Sequence, residues 1–398
     1  MVRFRKFYVS ILLLFICGFV HSSDANKEFI KGLEYVIDGD VIKAKDTFKK
    51  AIKIDKFQVY ANHSLRILSD YNNKVIKKAT TISLFKALLN NENKKYQQAL
   101  SDINESIKLN SNYAYSYYMR GTIKIYLSQF KQAIKDFDKA IKLNPRDADS
   151  YYNRGLTHGY INALEKSLSD YTQAINLDKN IYYAFYNRAL IYQVIGKFDL
   201  AIEDYGQVIK IHPNFSFAYH NRGLLYERKK EFGLALNDYD SAIKIDEKFS
   251  DAYNSRGGLK MKTQGFLLAI FDLEKAIKLN PNNGQAYYNL GLGLYQNTQY
   301  ESSIKNFSNA IIINPNNIDA YYMRALSYRF LEQPNKAIED FSTVIKLSPK
   351  DAEAYDNRGS TYYLHLKNKI KGCADYAKAC QLGYCKNHNK AVHQKLCN

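Results

Sequence analysis

The 34 residues AYSYYMRGTIKIYLSQFKQAIKDFDKAIKLNPRD, Ala114 to Asp147, decide the fold. They contain two helical stretches. The first spacing predicts a helix over Ala114–Tyr126. The second predicts one over Phe130–Leu143, where Phe130, Ala133, Ile134, Phe137, Ala140 and Ile141 recur at steps of three and four. Lys131, Lys135, Asp138, Lys139 and Lys142 occupy the opposite face. Leu127–Gln129 between them is long enough only for a tight antiparallel turn. Numbered 1 to 34, the segment places small residues at positions 8 (Gly121), 20 (Ala133) and 27 (Ala140), where helix backbones approach.

Working outward, the same pattern recurs every 34 residues from Thr80 to Asp351, without insertion or deletion. Position 4 reads Tyr117, Tyr151, Phe185, Tyr219, Tyr253, Tyr287, Tyr321 and Tyr355. Position 8 reads Gly121, Gly155, Ala189, Gly223, Gly257, Gly291, Ala325 and Gly359. A fixed period of this kind specifies stacked supersecondary units. The six prolines agree: five fall at position 32, beyond the second helix, and Pro334 falls at position 17, where a second helix begins.

This pattern resembles the tetratricopeptide repeat, with an aromatic at 4, Gly or Ala at 8, an aromatic at 11, Ala at 20, an aromatic at 24, Ala at 27 and Pro at 32. Ser216–Phe249 carries Tyr219, Gly223, Tyr226, Ala235, Tyr239 and Ala242. Trp, usual at position 4 in the family, is absent from the chain. The resemblance implies an all-α, right-handed superhelix of antiparallel helix hairpins. Ala25–Lys56 fits the template as a divergent first repeat. Phe57–Ala79 breaks the period and holds one helix. A ninth in-frame unit begins after Asp351, its second helix displaced by one residue. The expected organisation is a signal peptide over 1–22, a divergent repeat and connecting helix over 25–79, the array over 80–386 and a capping helix over 387–398.

Arg3, Arg5 and Lys6 precede an apolar run from Phe7 to Val20. This reads as a secretory signal, cleaved after Ser22 or Ala25, and points to export to a periplasm or beyond the cell. Ile16 before Cys17 argues against a lipoprotein. No other segment reads as a membrane span. The formal charge is +18, or +15 without those three cations. Many of the lysines lie on the solvated face of second helices, and export argues against RNA, so no nucleic-acid partner is expected. Contact with acidic surfaces stays open.

Catalytic signatures are missing: the sequence has no P-loop, GxSxG, HExxH or dinucleotide fingerprint. The expectation is a non-enzyme without cofactor or metal. His388, His393 and Cys397 match no zinc spacing.

Three columns stand out instead. Position 7 holds Arg120, Arg154, Arg188, Arg222, Arg256, Arg324 and Arg358. Position 23 holds Asp136, Asp170, Asp204, Asp238, Asp272 and Asp340. Where position 7 is Leu290, position 23 is Asn306. In an antiparallel hairpin the two positions lie level, so the expectation is an internal ion pair, with Leu290 and Asn306 packed together in its place. Position 6 holds Asn153, Asn187, Asn221, Asn289 and Asn357, and position 5 holds Tyr118, Tyr152, Tyr186, Tyr288 and Tyr322. In the resembling family, positions 2, 5, 6, 9 and 12 face a concave groove. An Asn amide can grip a peptide backbone, and Tyr brings area with a polar tip. The asparagine ladder resembles that of the O-linked N-acetylglucosamine transferase superhelix. The chaperone-type carboxylate clamp of the family does not fit, since position 5 is mostly Tyr and position 2 lacks Lys from Thr80 onward.

Beyond Cys17, the cysteines are Cys373, Cys380, Cys385 and Cys397. An even number in an exported chain points to two disulfides. Cys373 and Cys380 sit seven residues apart on one expected helix, about 10.5 Å, beyond disulfide reach. A closing helix antiparallel to the last one favours Cys373–Cys397 with Cys380–Cys385.

The sequence therefore reads as a scaffold that holds a protein or peptide in the cell envelope or outside the cell. The alternatives are a secreted effector binding a host protein, and an accessory subunit of an envelope assembly or wall enzyme complex.

Overall fold

In the computed structural model, residues 23–56, 59–393 and 397 are described. The expected signal peptide lies outside them. Regular structure among the described residues is helical throughout. The chain divides into two compact units between Pro213 and Asn214, inside the array that the period marks as continuous.

Unit 1 contains α1 (Ser23–Ile37), α2 (Val41–Ile54), α3 (Val59–Asn72), α4 (Lys78–Glu92), α5 (Tyr96–Leu109), α6 (Ala114–Tyr126), α7 (Phe130–Leu143), α8 (Ala148–Tyr160), α9 (Leu164–Leu177), α10 (Tyr182–Val194) and α11 (Phe198–Ile211). Unit 2 contains α12 (Ser216–Arg228), α13 (Phe232–Ile245), α14 (Ser250–Thr263), α15 (Phe266–Leu279), α16 (Gly284–Gln296), α17 (Tyr300–Ile313), α18 (Ile318–Phe330), α19 (Pro334–Leu347), α20 (Ala352–Ser360), α21 (Lys369–Gln381) and α22 (Lys386–His393). Within each unit a first helix packs on its own second helix, and that second helix packs on the next first helix.

Local chemistry explains the hairpin. The turn closes through a left-handed residue at position 15, as at Ser128 (φ 58°), Asn162 (φ 59°), Lys230 (φ 64°), Thr298 (φ 59°) and Glu332 (φ 55°). The position-24 ring then lies on the position-8 glycine. A Cβ on Gly121 would stand 2.7 Å from the Phe137 ring, so a side chain there would push the ring aside, and the position takes glycine or, at Ala189 and Ala325, the smallest side chain. The position-24 rings Phe137, Tyr171, Tyr205, Tyr239, Phe307 and Phe341 are all fully buried.

The position-7 arginines complete the unit. Arg188 donates from Nε and Nη2 to Asp204 at 2.8 and 2.8 Å. Arg154, Arg222, Arg256 and Arg324 meet Asp170, Asp238, Asp272 and Asp340 at 2.6 to 2.8 Å. Except at Arg222, whose position-25 neighbour is Gly206, a third arm also reaches back one unit, to position 25: Arg154 to Asp138 at 2.7 Å, Arg256 to Asp240 at 2.6 Å and Arg324 to Ser308 at 2.9 Å. Apart from Arg222, these guanidinia thus tie two successive second helices, and the arginines stack over the position-4 ring, as Arg188 does over Phe185 at 5.6 Å. Leu290 and Asn306 part company. Leu290 joins an apolar cluster with Ala269, Leu273 and Leu294, and Asn306 donates to the Ser302 carbonyl.

In the last unit a π turn over Thr361–His365 absorbs one extra residue. The pair there is Arg358–Asp375, 17 residues apart rather than 16. Cys373 is bonded to Cys397 and Cys380 to Cys385, with Cα separations of 5.6 and 4.0 Å. Among the described residues no helix is long and apolar enough to cross a membrane.

Candidate functional site

The first helices of each unit present their positions 2, 5, 6 and 9 on one face, and the two units treat that face differently. In unit 1 it is covered by α3. Residues 59–72 do not form a hairpin of their own; α1 packs directly on α4. The apolar side of α3, with Ile67 and Leu68 both 1% exposed, joins the core that contains Phe29, Phe48 and Phe85. Its other side lies over α6 and α8. The His63 ring sits edge-on to Tyr115 and Tyr118, with centroids 5.2 and 5.5 Å apart. Its Nε2 is 2.8 Å from Asp149. The Tyr113 hydroxyl donates to Asp70 at 2.7 Å, and Arg66 lies 3.8 Å from Asp147.

The electrostatics follow from that cover. Burial works to raise the Asp149 carboxyl, but hydrogen bonds from His63 and Tyr183, with the neighbouring positive charge, hold it below its ordinary value. Burial carries the Tyr115 and Tyr118 phenols well above theirs. Ahead of α3, the Asp55 carboxylate adds to burial in raising the Tyr182 phenol of α10.

This corrects part of the reading of positions 5 and 6. Tyr118, Tyr152, Tyr186 and Asn187 are buried and cannot meet a ligand as they stand. The asparagines also have a job inside the chain. Asn187 donates to the Tyr152 hydroxyl at 2.9 Å, Asn357 to Tyr322 at 2.7 Å, and Asn153 to the Asp149 carbonyl at 2.9 Å and more weakly to Tyr118. Position 6 of one unit is thereby tied to position 5 of the unit before it. The link persists when the residues change: Asn289 donates to Asn254 at 2.9 Å, and His220 pairs with Ser255 at 3.0 Å.

In unit 2 the face is open over α14, α16 and α18, while at its ends the position-5 residues His220 and Asp356 are buried, Asp356 accepting from Asn387 of α22 at 2.7 Å. Asn221, Tyr288, Asn289, Tyr322 and Asn357 are half-buried there. A recess of about 340 Å³ opens on it, lined among others by Asn254, Ser255, Met261, Gln285, Asn289 and Leu292. The sequence explains its place. Position 9 is leucine at Leu224, Leu292 and Leu326 but Gly258 in α14, so the recess occupies the volume of a missing side chain. Lys262 and Glu227, paired at 2.8 Å, stand at its rim. Uncharged amides make up much of the lining, which suits hydrogen bonding to a peptide, and Ser255 there is paired with His220. No group of three potential metal ligands converges among the described residues. The position-9 glycine was present in the sequence, and its departure from leucine was the signal for the recess.

Tetratricopeptide-repeat models match residues 121–159, 148–181, 182–215, 218–249, 273–305 and 318–351. Solved structures with a similar fold include YrrB, described as a TPR protein with an unusual peptide-binding site. It is 22% identical, covering 46% of this chain and 95% of its own, with a TM-score of 0.39. A tetratricopeptide repeat protein from Parabacteroides merdae is 23% identical over 63% of this chain and 96% of its own, with a TM-score of 0.47. The anaphase-promoting-complex assembly Cut9–Hcn1 is 16% identical over 94% of this chain and 76% of that one, with a TM-score of 0.49. No curated protein matches the chain. The unbroken period, the helix hairpins and the repeat models agree, and the chain is a tetratricopeptide-repeat protein.

Proposed function

We propose that the protein is a non-enzymatic scaffold that holds a peptide segment of a partner protein on the first-helix face of unit 2, and that it works after export, in a periplasm or outside the cell. The observation that carries the binding reading is the contrast between the two units. The same face is filled by α3 in unit 1, and in unit 2 it stays open around an amide-lined recess. Export is supported by the basic start and apolar run of residues 1–20 and by paired cysteines, which persist in oxidising compartments.

A displayed library of random 12-residue peptides, selected on the full chain, tests the binding reading. Peptides retained by the wild type should be lost from a Tyr288→Ala/Tyr322→Ala variant that keeps its helical circular-dichroism signal. They should be kept by Leu267→Lys, which alters a side chain 82% exposed on a second helix. Retention by the double variant, or a library that yields no binder, contradicts the reading.

A further inference from the structure

We propose that the open face of unit 2 is built for a helical segment carrying basic side chains. This rests on the reading above, that the face binds a peptide, and adds the class of peptide.

Unit 1 supplies the template, because there a helix is already seated on the equivalent face. The register of its polar contacts is legible. His63 meets Asp149, which stands at position 2 of its unit, and Arg66, three residues on, lies beside Asp147, which stands at position 34 of the unit before. Residues three apart share one side of a helix. So His63 and Arg66 on one side of α3 meet acids at the N-terminal ends of the first helices, Asp70 a turn further on accepts from Tyr113, and the His63 ring packs on aromatic positions 2 and 5.

Unit 2 repeats the acids without the helix. Position 2 holds Asp251, Asp319 and Glu353, with the neutral Gln285 between the first two. All three acids are exposed, whereas the Asp149 side chain is only 21% exposed beneath His63. Asp251 accepts from Asn283 at 3.2 Å; neither Asp319 nor Glu353 enters an ion pair among the described residues. Acids in the first turn also suit the helix dipole, but that role does not require three of them to share position 2 along a binding face. The chain as a whole is +18, so an acidic edge here runs against its general charge. The recess left by Gly258 lies beside this edge, over Met261 and Leu292, where it can take an apolar side chain of the incoming helix.

The test uses the full chain and two fluorescein-labelled 18-residue amphipathic helical peptides, identical except that one has a lysine polar face and the other a glutamate one. Fluorescence anisotropy should show the lysine peptide binding. The variant Asp251→Asn/Asp319→Asn/Glu353→Gln should bind it about tenfold more weakly, as three exposed pairs of about half a kcal/mol each would give. A control with the same charge change on second helices and their loops, Glu247→Gln/Glu274→Gln/Glu301→Gln, should bind as the wild type does. Gly258→Leu should weaken binding by filling the recess. Equal affinity of wild type and the position-2 variant, or equal binding of the glutamate peptide, overturns the proposal. If library-selected peptides still need Tyr288 and Tyr322 in that event, the basic class fails and the peptide-binding reading stands. If no peptide depends on that face, both fall.

Discussion

Arg188 shows how much one residue does in this fold. Its guanidinium holds Asp204, reaches Thr172 of the preceding second helix at 3.1 Å and covers the Phe185 ring. Asp204 is 3% exposed, and burial raises its carboxyl even against the pull of Arg188. Removing the arginine strands that carboxylate, so Arg188→Ala should destabilise the protein by about 3 kcal/mol. The deficit has a pH signature. A carboxyl whose folded pKa lies above its unfolded value loses stability as pH rises from the unfolded to the folded value. The urea midpoint of Arg188→Ala should therefore fall further below wild type at pH 7 than at pH 4. An equal deficit at both pH values would mean that Asp204 is not the group left stranded.

His220 titrates with the opposite consequence. It is 9% exposed, pairs with Ser255, and burial pushes it down to about 4 from an ordinary 6.5. Between those values the unfolded chain takes up a proton that the folded chain refuses. Stability is then lost as pH falls from about 6.5 to about 4, by up to about 3 kcal/mol from this residue. His220→Asn should flatten the unfolding free energy over that window. An unchanged slope would place the titration on other groups, His158 and His212 among them, which burial also lowers.

At the scale of elements, the closing pair α21–α22 is held by Cys373–Cys397, a link across 24 residues. Reduction should weaken this end by about 3 kcal/mol on a chain-entropy estimate, seen as faster amide exchange in α20–α22 with α6–α9 unaffected. Faster exchange throughout the chain would mean that the cap governs the stability of the whole. The hairpins themselves were legible in the sequence, because a period fixes their helices locally: Ala114–Tyr126 and Phe130–Leu143 fall where the spacing puts them. The Arg–Asp pairs were legible too, since charge and partner disappear together at Leu290 and Asn306. The place of α3 was not. It depends on contacts such as His63 with Asp149, 86 residues apart, to which no local pattern points. The asparagine column was visible but its orientation was not. Only the co-occurrence of Tyr118 with Asn153, Tyr152 with Asn187 and Tyr322 with Asn357, 35 residues apart, hints that the amide serves the neighbouring unit.

At the scale of the molecule, the two units share one repeat and differ in what lies on the first-helix face. Unit 1 keeps its own helix there; unit 2 keeps the half-buried Tyr288 and Tyr322 and the recess at Gly258. Hydrogen exchange followed by mass spectrometry, on the full chain with and without a library-selected peptide, tests this division most directly. The account predicts slowed exchange in α14, α16 and α18 when the peptide is bound, with α6 and α8 unchanged beneath α3. Protection confined to the second helices α13, α15 and α17, or appearing in unit 1 instead, would contradict it.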